Sequence, residues 1–157
     1  MSSQKNESLK DLMSVVNSTD VGLIILDKHY SIRVWNLFMV NHSGLTVESV
    51  MGKNLFELFP DISKQWFSEK VKQSITQKKN LLSTWEEQAY LFKFKNIRSR
   101  STATYMYQNL IFIPLTSATG NVDNFAITVN DVTDIAASTQ QLDVVIRDYS
   151  QMVDKDD

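Results

Sequence analysis

The side chains of this chain that could do chemistry are few, and they are scattered. The histidines are His29, within a tight connection, and His42, among short helical stretches, and neither has a second ligand-type residue at metal-binding spacing. An isolated imidazole of this kind reads as a surface turn residue or a partly buried polar group. Carboxylates gather at Glu86-Glu87 and at Asp154, Asp156 and Asp157. Neighbours in a strand point to opposite faces and a charged tail is solvated, so neither group forms a paired acid and base. The chain has no cysteine, which removes disulfides, thiolate metal sites, thiol nucleophiles and a cysteinyl–flavin adduct together. Gly22, Gly44, Gly52 and Gly120 are dispersed, so no glycine-rich loop is available to cradle phosphates. Nucleophilic and acid–base catalysis each require a positioned set that no spacing here supplies. A non-enzyme is expected.

Lys93, Lys95, Arg98 and Arg100 form a local basic cluster interleaved with Phe94 and Ile97. It could receive an anionic partner, but lysines on a strand edge or loop also block sheet-to-sheet association, and that reading suffices. Net charge over the 157 residues is −2, so no overall basic field exists to hold a nucleic-acid backbone or an anionic membrane. Hydrophobic content of 43% and charged content of 22% are those of a soluble globular domain. No stretch approaches eighteen consecutive apolar residues, and the polar start from Met1 to Glu7 lacks the form of a leader. A cytoplasmic location is expected.

These residues must be positioned by elements that the hydrophobic pattern marks out. Leu9, Leu12, Met13 and Val16 follow helical spacing and predict a short amphipathic helix, ended by Asn17-Ser18-Thr19-Asp20. Val21 to Leu26 reads as a buried strand, and Asp27 to Tyr30 turns it into a second strand from Ser31 to Trp35. From Asn36, a suitable N-cap, to Asp61 the pattern predicts several short helices punctuated by Gly44 and Gly52. Ile62 to Lys79, with Ile62, Trp66, Phe67, Val71 and Ile75 on one stripe, is the longest core helix. Strand-like stretches follow at Leu81 to Glu86, Thr102 to Thr116 and Asn124 to Val132, the last two joined by a turn at Ala118-Thr119-Gly120-Asn121. The region from Glu87 to Ser101 has no clear pattern.

Thr133 to Asp157 reads as a terminal helix without Gly or Pro. Ile135, Leu142 and Tyr149 repeat at seven residues, with Ser138, Val145 and Met152 between them, as the a and d positions of a coiled coil do. A helix projecting into a parallel dimer is the favoured reading; a helix packed back on the sheet is the alternative.

The order of elements, together with Val21-Gly22-Leu23-Ile24 and Asp27, Val34-Trp35-Asn36, Gly44-Leu45-Thr46 and Met51-Gly52-Lys53-Asn54-Leu55, resembles the PAS family. Asp131-Val132-Thr133-Asp134 is similar to the Asp-x-Thr signature at which PAS domains pass to a signalling helix. Trp85-Glu86-Glu87, Tyr90-Leu91-Phe92, and Met106 to Leu110 through Pro114-Leu115 resemble a bacterial subgroup that often precedes diguanylate cyclase (GGDEF) domains. No cyclase motif is present. The resemblance implies an α+β fold with a five-stranded antiparallel sheet and short helices on one face. Its divisions would be an N-terminal cap at 1–19, a sensor domain at 20–134, and a coiled-coil signalling helix at 135–157 leading to an output domain.

The resemblance also implies where a ligand would lie. Trp35, Asn36, Met39, Phe56, Trp66, Phe67, Trp85, Tyr105, Tyr107 and Asn109 would surround the cavity of such a domain. They would either hold a small organic molecule or fill the core themselves. A buried amide or phenol needs a partner, so Asn36, Tyr107 and Asn109 are the more telling, although N-capping would occupy Asn36. Non-covalent flavin is compatible with such walls; haem is disfavoured, because neither histidine falls on the long helix where haem-binding relatives place their ligand. The expected function is a sensor that relays the state of its core through a homodimer to an output domain. The alternative is a ligand-free interaction scaffold, with the Leu9, Leu12, Met13 and Val16 stripe as a dimer face.

Overall fold

A computed structural model describes residues 2–155, with side chains described from 7 to 153. The side chains of Asp154, Asp156 and Asp157 lie outside the described residues. Five strands, β1 (Gly22–Asp27), β2 (Ile32–Trp35), β3 (Leu81–Ser83), β4 (Gln108–Thr116) and β5 (Val122–Asp131), form one sheet in the order β2-β1-β5-β4-β3. Every neighbouring pair is antiparallel. Helix α1 (Ser2–Ser18) precedes the sheet; α2 (Leu37–Ser43), α3 (Val47–Val50), α4 (Leu55–Leu58) and α5 (Lys64–Gln77) lie between β2 and β3; α6 (Thr133–Lys155) follows β5. The expected five-stranded α+β architecture is the one found.

Alternation fixes which sheet face is covered. Ile24 and Leu26 of β1, Leu110 and Phe112 of β4, and Phe125, Ile127 and Val129 of β5 are buried toward the helices. Opposite them, Leu23 pairs with Thr128 and Thr128 with Ile111, a row that is only half-buried. Against the inner face pack Phe38 and Met39 of α2, Val50 of α3, Leu55 of α4 and Phe67 and Val71 of α5, all buried. Each aromatic so placed contributes roughly 1.5–3 kcal/mol of burial.

Local chemistry explains the boundaries. Asn36, Thr46, Asn54 and Ser63 each accept an amide of the helix they precede, from Met39, Ser49, Phe56 and Trp66 respectively. Gly44, at φ 74°, ends α2 in the left-handed region that a side chain disfavours. The β1–β2 turn is held by the Asp27 carboxylate, which accepts the amides of His29 and Ser31 and pairs with Arg33. Burial raises the Asp27 pKa, but those amides and Arg33 outweigh it and leave the carboxyl below its usual value. Gly22 allows a close approach: a Cβ there would come within 2.7 Å of Met39 Sδ and 2.9 Å of a Phe38 ring carbon.

Two sequence expectations are corrected. The first of the late strands stops at Ser83 rather than Glu86, and the second begins at Gln108 rather than Thr102. Between them, 84–107 is irregular, touching strand geometry only at an isolated Lys95–Tyr105 bridge. It is nevertheless part of the core, because Leu91, Phe92, Phe94 and Met106 are buried. Tertiary burial has overridden β propensity there.

Candidate functional site

The ten residues proposed to surround a ligand do not converge on one place. Trp35, Asn36, Met39 and Phe67 are buried within the core. Trp35 donates from Nε1 to the Leu45 carbonyl at 3.2 Å, stacks on Phe59 at 5.9 Å and meets the edge of Phe92 at 6.2 Å. Phe67 meets Phe56 at 5.6 Å and Phe112 at 5.5 Å, and Tyr30 closes on Phe56 at 5.1 Å. These rings occupy the space between sheet and helices with one another. Tyr30, Phe59 and Phe92, which join the cluster, are not among the ten, because they sit in a turn, at a helix end and in the irregular segment.

The amides are engaged by backbone. Asn36 Oδ1 accepts from Leu23 N at 3.0 Å and Met39 N at 3.4 Å, while Nδ2 donates to Val21 O at 2.8 Å and Val16 O at 3.3 Å. Its side chain therefore caps α2 and fastens the end of α1 at once, with no donor left for a ligand. Asn109 Oδ1 accepts the Trp85 amide at 2.9 Å. Trp85 and Tyr107 meet edge to face at 5.6 Å near the root of α6, and Tyr105 lies apart, against Tyr90 at 5.9 Å with Lys93 Nζ 4.9 Å above its ring.

Trp66 alone of the ten lines a cleft of 840 Å³ between the α4–α5 corner and residues 88–93, together with Phe59, Asp61, Tyr90, Leu91 and Lys93. That volume lies in the range of ligand sites, about 300–1,000 Å³. Its walls combine aromatic surface with one carboxylate and one ammonium.

One buried amide that pattern reasoning missed holds the wall of this cleft. Gln108, fully buried, accepts at Oε1 from Leu91 N at 3.0 Å and Phe92 N at 3.1 Å, donates from Nε2 to Phe92 O at 2.8 Å, and donates its own amide to Ala89 O at 2.9 Å. No local signal distinguishes it in sequence, since glutamine is common on exposed strands.

Two charges of the irregular segment are paired. Arg98 bonds Asp20, and Glu87 bonds Lys70. The basic cluster thus stands in a loop rather than on a strand edge, with Lys95 and Arg100 exposed. His42, between Phe38 at 4.3 Å and Phe94 at 5.8 Å, has both ring nitrogens buried without a partner. Burial lowers its pKa and Arg98 acts in the same direction, against smaller opposing effects of Asp131 and Asp20. Among the described residues no group of three or more His, Asp or Glu is placed to hold a metal ion.

The root of α6 is held by side-chain and backbone bonds from β4 and β5. Thr133 is the first residue of the helix and is buried, so it does not cap the turn from outside. Its amide and hydroxyl both donate to Asp131 Oδ1, at 3.0 and 2.5 Å, and its hydroxyl oxygen accepts the Tyr107 amide at 3.0 Å. Val132 N donates to Tyr107 O at 2.9 Å and Val132 O accepts the first helical bond from Ala136 at 2.8 Å. Asp134 accepts from the Ser99 hydroxyl. Beyond the buried Ala136, every described side chain from Gln140 to Val153 is exposed. Ile135, Leu142, Val145, Tyr149 and Met152 are 58–68% exposed, on the side of the helix opposite Ala136.

Comparison with known proteins gives the family. The PAS fold model matches residues 10–132, and the chain belongs to the PAS family. A sensory box sensor histidine kinase structure from Vibrio cholerae is 28% identical, with TM-score 0.59 over 84% of this chain and 98% of that one. A PAS domain from Colwellia psychrerythraea is 12% identical, with TM-score 0.59 over 80% of this chain and 98% of that one. The histidine kinase ThkA in complex with the response regulator TrrA is 21% identical, with TM-score 0.58 over 90% of this chain but 39% of that one. No curated protein matches the sequence. No helix among the described residues is long and apolar enough to cross a membrane.

Proposed function

We propose that this chain is a sensory and dimerisation module: a small organic molecule held non-covalently in the cleft beside Trp66 sets the position of the irregular segment and β4. The root of α6 passes that state to a parallel homodimeric coiled coil and an output domain beyond it. The observation that carries the reading is the apolar stripe of α6, which among the described residues is left exposed by the rest of the chain. An apolar helix face in water is covered by association, and a heptad stripe selects a second helix of the same kind. Likeness to a sensor histidine kinase supports an output domain of kinase type, and the diguanylate cyclase alternative rests on the sequence resemblance alone.

Light scattering tests the dimer. The protein is expected at dimer mass, with Leu142→Asp or Val145→Asp shifting it toward monomer at equal concentration; unchanged mass at all concentrations would sink the coiled-coil reading. A ligand-free scaffold is the second reading, favoured by the ring-filled interior and by the half-buried outer row Leu23, Ile25, Ile111 and Ile113 beside exposed Leu82. Native mass spectrometry separates the two: extra mass lost on denaturation supports the ligand, and a bare dimer supports the scaffold.

A further inference from the structure

We infer that Gln108 is the positioning residue that couples the cleft wall to the output helix. The inference rests on the reading of α6 as output, and needs no particular ligand. Four hydrogen bonds join Gln108 to residues 89–92: its amide to Ala89 O, Oε1 from Leu91 N and Phe92 N, and Nε2 to Phe92 O. These bonds tie to β4 a cleft wall that has no secondary structure of its own. Gln108 also begins β4 directly opposite Asp131, whose carboxylate holds Thr133.

The residue before it completes the connection. Tyr107 gives its amide to Thr133 Oγ1 at 3.0 Å, takes Val132 N on its carbonyl at 2.9 Å, and brings its hydroxyl to Gln140 Nε2 at 3.4 Å. Two adjacent residues thus hold the cleft wall on one side and the first turns of α6 on the other. Gln108 N–H, which meets Ala89 O, and Tyr107 C=O, which meets Val132 N, belong to one planar peptide, so a shift of the wall that turns the first group turns the second with it. Because Gln108 is fully buried, a displaced wall leaves its amide without water as a substitute partner, and the wall and strand move as one or separate at the cost of an orphaned amide. Asn109, one residue on and facing the other way, fastens only Trp85 and provides the control.

Amide-resolved hydrogen exchange on the whole chain tests the coupling. Gln108→Met keeps length and apolar bulk while removing the side-chain hydrogen bonds. It is expected to speed exchange at Leu91 and Phe92 at least about tenfold, as loss of a protecting bond does, and at Tyr107, Val132 and Ala136 by at least about threefold. Ile24 and Ile127, elsewhere in the sheet, should stay unchanged. Asn109→Ala should speed Trp85 alone. In the opposite direction, Thr133→Val, which removes the acceptor of the Tyr107 amide, should speed exchange at Leu91 and Phe92. Faster exchange at Leu91 and Phe92 with Val132 and Ala136 unchanged overturns the coupling. Should Gln108→Met fail to fold, Thr133→Val decides alone, and no change at Leu91 and Phe92 overturns it. Light scattering on the same samples keeps the two ideas apart: a monomeric wild type overturns the coiled-coil output, whereas the exchange pattern judges Gln108.

Discussion

Two stretches of chain cover the inner face of the sheet, and they are held by opposite means. From Asn36 to Gln77 the chain forms short helices, each begun by a residue whose own side chain accepts an amide two or three positions ahead. From Thr84 to Tyr107 it forms no helix, and its fastening comes from afar: Asn109 takes the Trp85 amide across 24 residues and Gln108 takes the Phe92 amide across 16. The first stretch carries its instructions locally, whereas the second is shaped by where its buried rings can go. A stretch without helix or strand, tied within itself only by scattered bonds such as Asn96 N to Thr104 O and Met106 N to Phe94 O, has less to lose by moving, which suits it to the moving part of a sensor.

The sharpest way to break this contrast is to remove a ring from the second stretch. Phe92 is buried against Trp35, Phe59 and Phe94, the last stacked at 5.2 Å. Phe92→Ala should cost about 3–5 kcal/mol in urea denaturation. It should also open residues 84–107 to protease while the helical stretch stays resistant. A loss under about 1 kcal/mol would mean that the segment lies over the core without being part of it.

A smaller effect is expected from the strongest cap of the first stretch. Asn36→Ala leaves the amides of Leu23 and Met39 and the carbonyl of Val21 without their partners, for a loss of about 1–3 kcal/mol. It also releases Val16 O, so α1 should exchange faster than α2. A loss equal to that of Phe92→Ala would show that the helical stretch depends on a single distant fastening as well, and the contrast would fail.

This contrast also explains what could be read from sequence. Periodicity gave β1, β2, α5 and α6 close to their observed limits, and Asn36 and Gly44 marked the ends of α2, because each of these signals is local. Residues 102–107 looked like strand since Tyr105, Met106 and Tyr107 favour it, yet Met106 is drawn into the core and Tyr107 to the root of α6. The proposed site residues scattered for the same reason. Aromatic and amide types were recognisable, but whether Asn109 meets a ligand or the Trp85 amide depends on a chain segment whose path no local pattern describes. Gln108 stood within the quoted Met106 to Leu110 run, but nothing in its type or spacing marked it as the buried fastening of residues 89–92.

The smallest expected effect lies where the two stretches touch. His42 of α2 is wedged between Phe38 of its own helix and Phe94 of the irregular segment, with Arg98, Asp131 and Asp20 as the charged groups around it. Burial, aided by Arg98, lowers its pKa below the reference value of 6.5, so the folded chain favours the neutral ring. The unfolded chain then binds more protons just below 6.5, and stability rises with pH through that window. As pH falls from the reference value through the folded value, this contribution is lost, and it is fully lost below the latter. Asp27 responds further toward acid, since its carboxyl is lowered from a reference of 3.8. Urea midpoints compared between about pH 5.5 and about pH 7.5, where imidazoles titrate, should therefore fall on the acid side in the wild type and stay level in His42→Phe, whose ring fits the same aromatic slot. An equal acid-side fall in both proteins would place the titrating group elsewhere. If the wild-type fall comes with faster exchange at Phe94 than at Phe38, protonation loosens the irregular stretch and not the helix, which is the asymmetry that the two modes of fastening require.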